Sequence, residues 1–176
     1  MATALKLRYY GDPCLRKAAK AVKNVGLAER MLIREMIEAM YAFDGSGLAA
    51  TQVGLDLQIF VADDGDGPYA VIDPEIVKKS SEQSKMEEGC LSLPKIKVNV
   101  KRPATIKVKY LDDNNVMVEK EFSGLKARIF QHEIDHLEGR MIIDYASKED
   151  REKYKDQLTK LSDLFQKPKP SGKKNG

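Results

Sequence analysis

Gln131-His132-Glu133-Ile134-Asp135-His136-Leu137 is the stretch on which the reading of this chain turns. It carries both histidines of the 176 residues. On a helix, positions i and i+4 lie one above the other, so the two imidazoles can grip one metal ion. Glu133 stands beside such an ion rather than on it, and is placed to take a proton from a water that the ion has acidified. Reading outward, the apolar spacing predicts a helix over residues 125–138, entered after Gly124 and stopped by Gly139. Paired histidines also occur as surface residues or hydrogen-bonded core residues, so the pattern alone points to metal-assisted hydrolysis without fixing its kind.

The missing ligand narrows the choice. A catalytic site of this type needs three protein ligands and one open position. A protease with a third histidine six residues past the second would need it at position 142, which is Ile142. The third donor is therefore a carboxylate or a cysteine. Glu152 lies downstream in the charged run 147–153, where a solvated helix face is the simpler reading. Cys90 sits in Glu88-Gly89-Cys90-Leu91-Ser92-Leu93-Pro94. Gly89 is expected to allow close approach or an unusual backbone angle, and Pro94 to interrupt regular bonding, which holds the thiol on a shaped turn. As a thiolate it would complete a Cys-His-His set, suited to zinc, iron or nickel rather than magnesium or calcium. A lone buried cysteine is otherwise just a small apolar residue.

A third segment, Gly45-Ser46-Gly47-Leu48-Ala49-Ala50-Thr51-Gln52, reads as a small-residue loop that lets backbone lie against a ligand. It lacks the Gly-Lys-Ser/Thr ending of a phosphate loop. Together, in this order, residues 45–52, 88–92 and 131–137 resemble the three signatures of the peptide deformylases. The resemblance runs from Tyr10-Gly11-Asp12-Pro13 to about Tyr145. It includes Ile72-Asp73-Pro74-Glu75-Ile76, where the family more often has Asn at the position of Asp73. Thr51 stands where proline is commoner, and Lys95-Ile96-Lys97 is a less typical sequel to Pro94 that bears on the rim of a substrate groove.

The resemblance implies a metal-dependent amide hydrolase that removes the N-formyl group from the initiator methionine of new polypeptides. Cys90, His132 and His136 would hold one divalent ion, natively Fe²⁺, with Zn²⁺ or Ni²⁺ as substitutes. Glu133 would be the proton carrier. The Gln52 side chain and the Leu91 backbone N–H would serve the developing oxyanion. On the helix face before His132, Leu125 and Ile129 are candidates for the methionine pocket, with Met86 as a third, though all three could equally be core. Gly47, Leu48 and Gly89 could offer backbone hydrogen bonds to a peptide lying as an added strand. Glu88 and Arg102 are expected to pair behind the metal, unless Arg102 instead holds Asp135. Two rivals remain: a general zinc peptidase with a carboxylate third ligand, and a small domain that the metal only staples.

Composition bounds the rest. At 176 residues with 42% apolar content, one catalytic domain over 1–165 is expected. No run is apolar enough for a membrane span, and residues 1–6 lack the apolar core of a secretion signal. Two cysteines make no disulfide framework, so a reducing cytoplasm and a structural Cys14 are expected. The net charge of +3 is carried by the four lysines of residues 166–176, without which the body is at −1. That stretch reads as a disordered basic tail, with weak contact to ribosomal RNA as one use. The enzyme is expected to be a monomer.

Helical spacing predicts a helix over 27–41 with a buried methionine stripe, and a charged helix over 148–165. Strand-like stretches fall at 58–62, 70–72, 76–79, 96–100, 105–111 and 116–122, the last two joined through Asp112-Asp113-Asn114-Asn115. Strands and helices are segregated, so the class is α+β: mixed or antiparallel sheets around a central metal-binding helix, with a helix at the C-terminal end.

Overall fold

Three helices and seven strands follow one another in a computed structural model that describes residues 5–166. Helix α1 spans Leu27–Ala42, α2 Gly124–Leu137 and α3 Lys148–Gln166. The strands are β1 Gly47–Ala49, β2 Ile59–Ala62, β3 Tyr69–Lys79, β4 Gln83–Cys90, β5 Leu93–Pro103, β6 Thr105–Leu111 and β7 Met117–Ser123. Five form a sheet in the order β1-β2-β3-β6-β7, while β4 and β5 form a separate hairpin. Every strand pairing is antiparallel. Among the described residues, parallel pairing is limited to one bridge, Lys20 with Leu57. The class is α+β, as expected, in its antiparallel form.

The layering follows from side-chain alternation. All four residues of β2 are buried because both faces of the strand are covered. Phe60 and Ala62 face α2, in a cluster with Val71, Phe130 and Ile134. Ile59 and Val61 face α1, in a cluster with Met36, Met40 and Leu48. Phe130 is the hub on the α2 side, stacked on Phe122 at 4.4 Å and edge-on to Phe60 at 5.2 Å. A third cluster joins β5 (Ile96, Val98, Val100) to Leu15, Met141 and Ile142, with Tyr154 and Leu158 of α3 packed against it. Helix α2 thus lies between the sheet and the hairpin. Ten of its fourteen residues are buried, which is why polar groups on it are held so firmly. Gly139 closes it in a left-handed conformation, φ 75°, and a side chain there would strike the Arg16 backbone at 2.8 Å.

Several expectations need correction. The stretches 70–72 and 76–79 belong to one strand, β3. Its register slips between Ile72 and Glu75, where Asp73 takes a left-handed φ of 49°. The Asp73 carboxylate accepts from the Val22 and Lys23 N–H groups, both at 2.8 Å, which holds the bulge in place. Strand β4 was not anticipated, since Gln-Ser-Lys-Met-Glu-Glu-Gly-Cys shows no apolar alternation; its pairing with β5 makes it a strand. β5 extends past 96–100 at both ends. In the methionine stripe, Met36 and Met40 are buried but Met31 is 55% exposed, and Ile33 takes its place in the core. Apart from Gln166 at the end of α3, the expected basic tail lies outside the described residues. No helix among the described residues is long and apolar enough to cross a membrane.

Candidate metal centre

Two elements bring the site together. Helix α2 delivers His132, Glu133 and His136, and the end of β4 delivers Cys90. The β4–β5 register slips between Gly89 and Cys90, so that Cys90 pairs with Leu93 across the turn Leu91-Ser92. That slip re-aims the cysteine toward the helix. Its Sγ lies 3.2 Å from His136 Nε2. The imidazole rings of His132 and His136 stand 5.0 Å apart, and ligand atoms of Cys90, His132 and His136 all lie within 4.8 Å of one another. Among the described residues no other group of three histidines, cysteines or acids is so arranged. Glu152, the carboxylate considered for the third position, sits on exposed α3 and pairs with Lys155.

The electrostatics suit a cation. His136 is buried, as is Glu133, whose Oε2 finds no hydrogen-bond partner. Burial pushes the Glu133 carboxyl up to about 7. At His136 burial, then the charge of its neighbour His132, holds the ring well below its ordinary value. At His132 burial pulls the same way, but bonds to Cys90 and Glu88 override it and raise the ring well above that value. A thiol, two imidazoles and an unsatisfied carboxylate oxygen supply the soft and intermediate donors that fit a divalent metal.

Behind the ligands the pairing is complete. His132 Nδ1 meets Glu88 Oε2 at 2.9 Å. Arg102 donates to both Glu88 oxygens, at 2.7 and 2.9 Å, and to Asp135 Oδ2 at 2.6 Å. Both alternatives considered for Arg102 therefore hold at once. Burial alone would raise the Glu88 carboxyl, but the Arg102 guanidinium and the His132 ring hold it well below the usual carboxylate range. Glu88 is then an acceptor, so the Nδ1 that meets it is the donor, and the Nε2 lone pair of His132 is left for a metal. Arg128, one helical turn before His132, also donates to Glu88 Oε1 at 2.8 Å, and to the carbonyls of Val100 and Ser84. Sequence reasoning missed Arg128, though its i−4 spacing from His132 was a usable signal.

The remaining candidates surround a cleft of about 550 Å³. Met86, Leu125 and Ile129 line it, as do Gly47, Gly89, Gln52 and Leu91. Leu48 does not: its side chain is fully buried against α1, because alternation along β1 turns it to the other face. Gly47 is required by Glu133, since a Cβ there would lie 2.3 Å from Glu133 Oε1. Gly89 departs from expectation. It is not in the left-handed region, and the space where a side chain would stand is open. The Gln52 amide is fixed at its oxygen by the Ala49 N–H at 2.9 Å. Its nitrogen faces Ser92 Oγ at 3.2 Å and Cys90 Sγ at 3.7 Å. Ser92 is a second residue the sequence reading passed over. Thr51 Oγ1 donates to the His136 carbonyl at 3.2 Å, tying the small-residue loop to α2.

Comparison with known proteins gives one answer. A family profile described as polypeptide deformylase matches residues 4–152. The peptide deformylase of Thermotoga neapolitana is 50% identical over 139 residues, 79% of this chain and 85% of that protein. The crystal structure of peptide deformylase from Thermotoga maritima superposes with a TM-score of 0.79 at 50% identity, covering 81% of this chain and 97% of that one. That of a peptide deformylase from Synechococcus elongatus in complex with actinonin gives 0.86 at 36% identity, covering 90% and 87%.

Proposed function

The chain belongs to the peptide deformylase family, and from that premise we propose how its own residues carry the reaction. It is a metal-dependent hydrolase that removes the N-formyl group from formylated peptides. The observation that carries the assignment of roles is the convergence of the Cys90, His132 and His136 ligand atoms within 4.8 Å, beside a buried glutamate with an unpartnered oxygen.

In this reading Cys90, His132 and His136 hold one divalent ion. When bound, that ion supplies Lewis acidity, which brings water toward ionisation near neutral pH. Glu133 accepts the proton of the attacking water and passes it to the peptide nitrogen as the formyl C–N bond breaks. Formate and a free amine result. Its raised pKa suits both halves of that task, since a base poised near neutrality can also act as the acid. Gln52 Nε2 and the Leu91 backbone N–H are the donors for the developing oxyanion, each worth about 2.7–4 kcal/mol in comparable sites. Pinning of the Gln52 oxygen by Ala49 supports this role, because a donor held in advance has little left to reorganise.

Met86, Leu125 and Ile129 form the wall for the methionine side chain, and the backbone at Gly47 and Gly89 flanks the peptide. The open space above Gly89 supports a main chain passing there. The thiolate of Cys90 donates charge and lowers the ion's net positive charge. That favours Fe²⁺ as the native metal, with Ni²⁺ or Zn²⁺ as substitutes. We assign the enzyme one catalytic domain over 1–165, a monomeric state, a cytoplasmic location and a basic tail over 166–176 that touches ribosomal RNA weakly.

The test is anaerobic reconstitution with Fe²⁺ and measurement of formate released from formyl-Met-Ala-Ser. The reading predicts stoichiometric formate and no cleavage of the unformylated peptide. It also predicts that Cys90→Ala fails to retain the metal. Full metal content in that variant would remove Cys90 from the ligand set.

A further inference from the structure

Tyr145 lies on the far side of the metal helix from the cleft, in the 3-10 turn Ile142–Tyr145 that follows α2. The reaction as described gives it no role, yet two independent contacts tie it to the same guanidinium. Its ring lies under Arg102, with the guanidinium carbon 5.1 Å from the ring centroid. Its hydroxyl donates to Asp135 Oδ1 at 3.0 Å, while Asp135 Oδ2 accepts from Arg102 at 2.6 Å. Arg102 is thus gripped from its face and, through Asp135, from one end. Its other donors run to Glu88, which meets His132 Nδ1 at 2.9 Å. The chain Tyr145–Asp135–Arg102–Glu88–His132 connects a tyrosine 40% exposed at the surface to a ligand of the metal centre.

A second cavity, of about 410 Å³, explains why the ring matters there. Arg102, Asp135, Arg140 and Tyr145 line it. Arg102 and Asp135 are nonetheless buried, each 5% exposed or less. Removing the ring would open the ion pair to that cavity. Water would then raise the local dielectric and loosen the geometry of Arg102. Glu88 would follow Arg102, and the orientation of the His132 ring follows Glu88.

We propose that Tyr145 is a positioning residue for the metal centre: it orients the His132 imidazole through Arg102 and Glu88. The inference rests on the reading of Cys90, His132 and His136 as metal ligands. Arg140, which reaches Asp135 Oδ1 at 3.0 Å from an exposed position, offers the same carboxylate a second donor, whereas the ring against Arg102 is that of Tyr145. Arg140 serves as the control.

The experiment uses the Co²⁺-loaded protein. Cobalt reports ligand geometry through its d–d bands and the thiolate through its charge-transfer band. Chelator challenge of the same sample gives the metal dissociation rate. Tyr145→Leu, which loses ring and hydroxyl, should speed dissociation about tenfold, at the lower end of the effect of outer-shell partners, and should shift the d–d bands. Tyr145→Phe keeps the ring under Arg102 and should restore most of the difference. Arg140→Gln should match the wild type. If Tyr145→Leu melts earlier but keeps the wild-type spectrum and dissociation rate, the residue is only structural and the inference is overturned. If Tyr145→Leu does not fold, Tyr145→Met, which also removes the ring and the hydroxyl, carries the test: dissociation faster than in Tyr145→Phe supports the inference, and a rate equal to wild type overturns it. Absence of the thiolate band in the wild type would instead overturn the ligand assignment beneath it.

Discussion

The polar groups around helix α2 fall into two regions that burial treats alike and hydrogen bonding treats differently. Behind the helix, Glu88, Arg102, Arg128 and Asp135 are all buried, and each is bound to a partner of opposite charge. Toward the cleft, Glu133 is equally buried and its Oε2 has no partner at all. A satisfied buried ion cluster fixes geometry, whereas an unsatisfied one stores the capacity to bind a cation and move a proton. The difference separates residues that support the site from residues that act in it.

The sharpest way to break that comparison is to remove one charge from the satisfied side. Arg102→Leu leaves Glu88 and Asp135 buried without their principal partner, and should cost about 3–5 kcal/mol of stability, read as a lower urea midpoint. A midpoint unchanged from wild type would mean that the cluster supports nothing. On the active side the expected effect is on rate rather than stability. Gly47→Ala places a Cβ where Glu133 Oε1 now lies. Displacing that oxygen by about 1 Å should lower kcat about 100-fold, with metal content retained.

Acid should separate the regions further. Because the fold holds the Glu88 carboxyl below its usual range, its charged form stabilises the native state at neutral pH. That contribution is complete above the ordinary carboxylate value and is lost as pH falls below it, toward the depressed folded value. A Glu88→Gln variant should therefore show a shallower loss of stability on acidification than the wild type, measured by urea midpoints between about pH 5 and pH 3. An equal slope would assign the acid sensitivity elsewhere.

The smallest effect concerns Cys14. Burial, then the Asp12 carboxylate, pushes the Cys14 thiol up to about 12. Its alkylation rate should keep rising with pH beyond pH 10, where a free thiol of pKa about 8.5 has levelled off. A plateau near pH 9 would show that Cys14 is not held as a thiol by its surroundings.

How much of this was legible in the sequence depends on the range of the interactions involved. His132, Glu133 and His136 could be read because a helix places i and i+4 together without help from the rest of the chain. Cys90 followed from the shortage of histidines and the motif around it, and the structure brings its sulfur to the ring of His136. β4 could not be read, since nothing local in residues 83–90 alternates and only the pairing with β5 makes a strand of it. Arg128 was missed because an arginine on a helix ordinarily faces water; here the acid of another strand draws it inward. That the Leu48 side chain turns under α1 was not legible either, since it depends on the short strand pairing with β2 rather than on the loop of small residues itself.

The central claim is that Glu133 moves the proton while Cys90, His132 and His136 only hold the metal. Glu133→Gln tests it most directly. The account predicts full metal content in the Fe²⁺-loaded variant and formate release reduced about 10²–10⁴-fold. Formate release at the wild-type rate with the metal in place would contradict it.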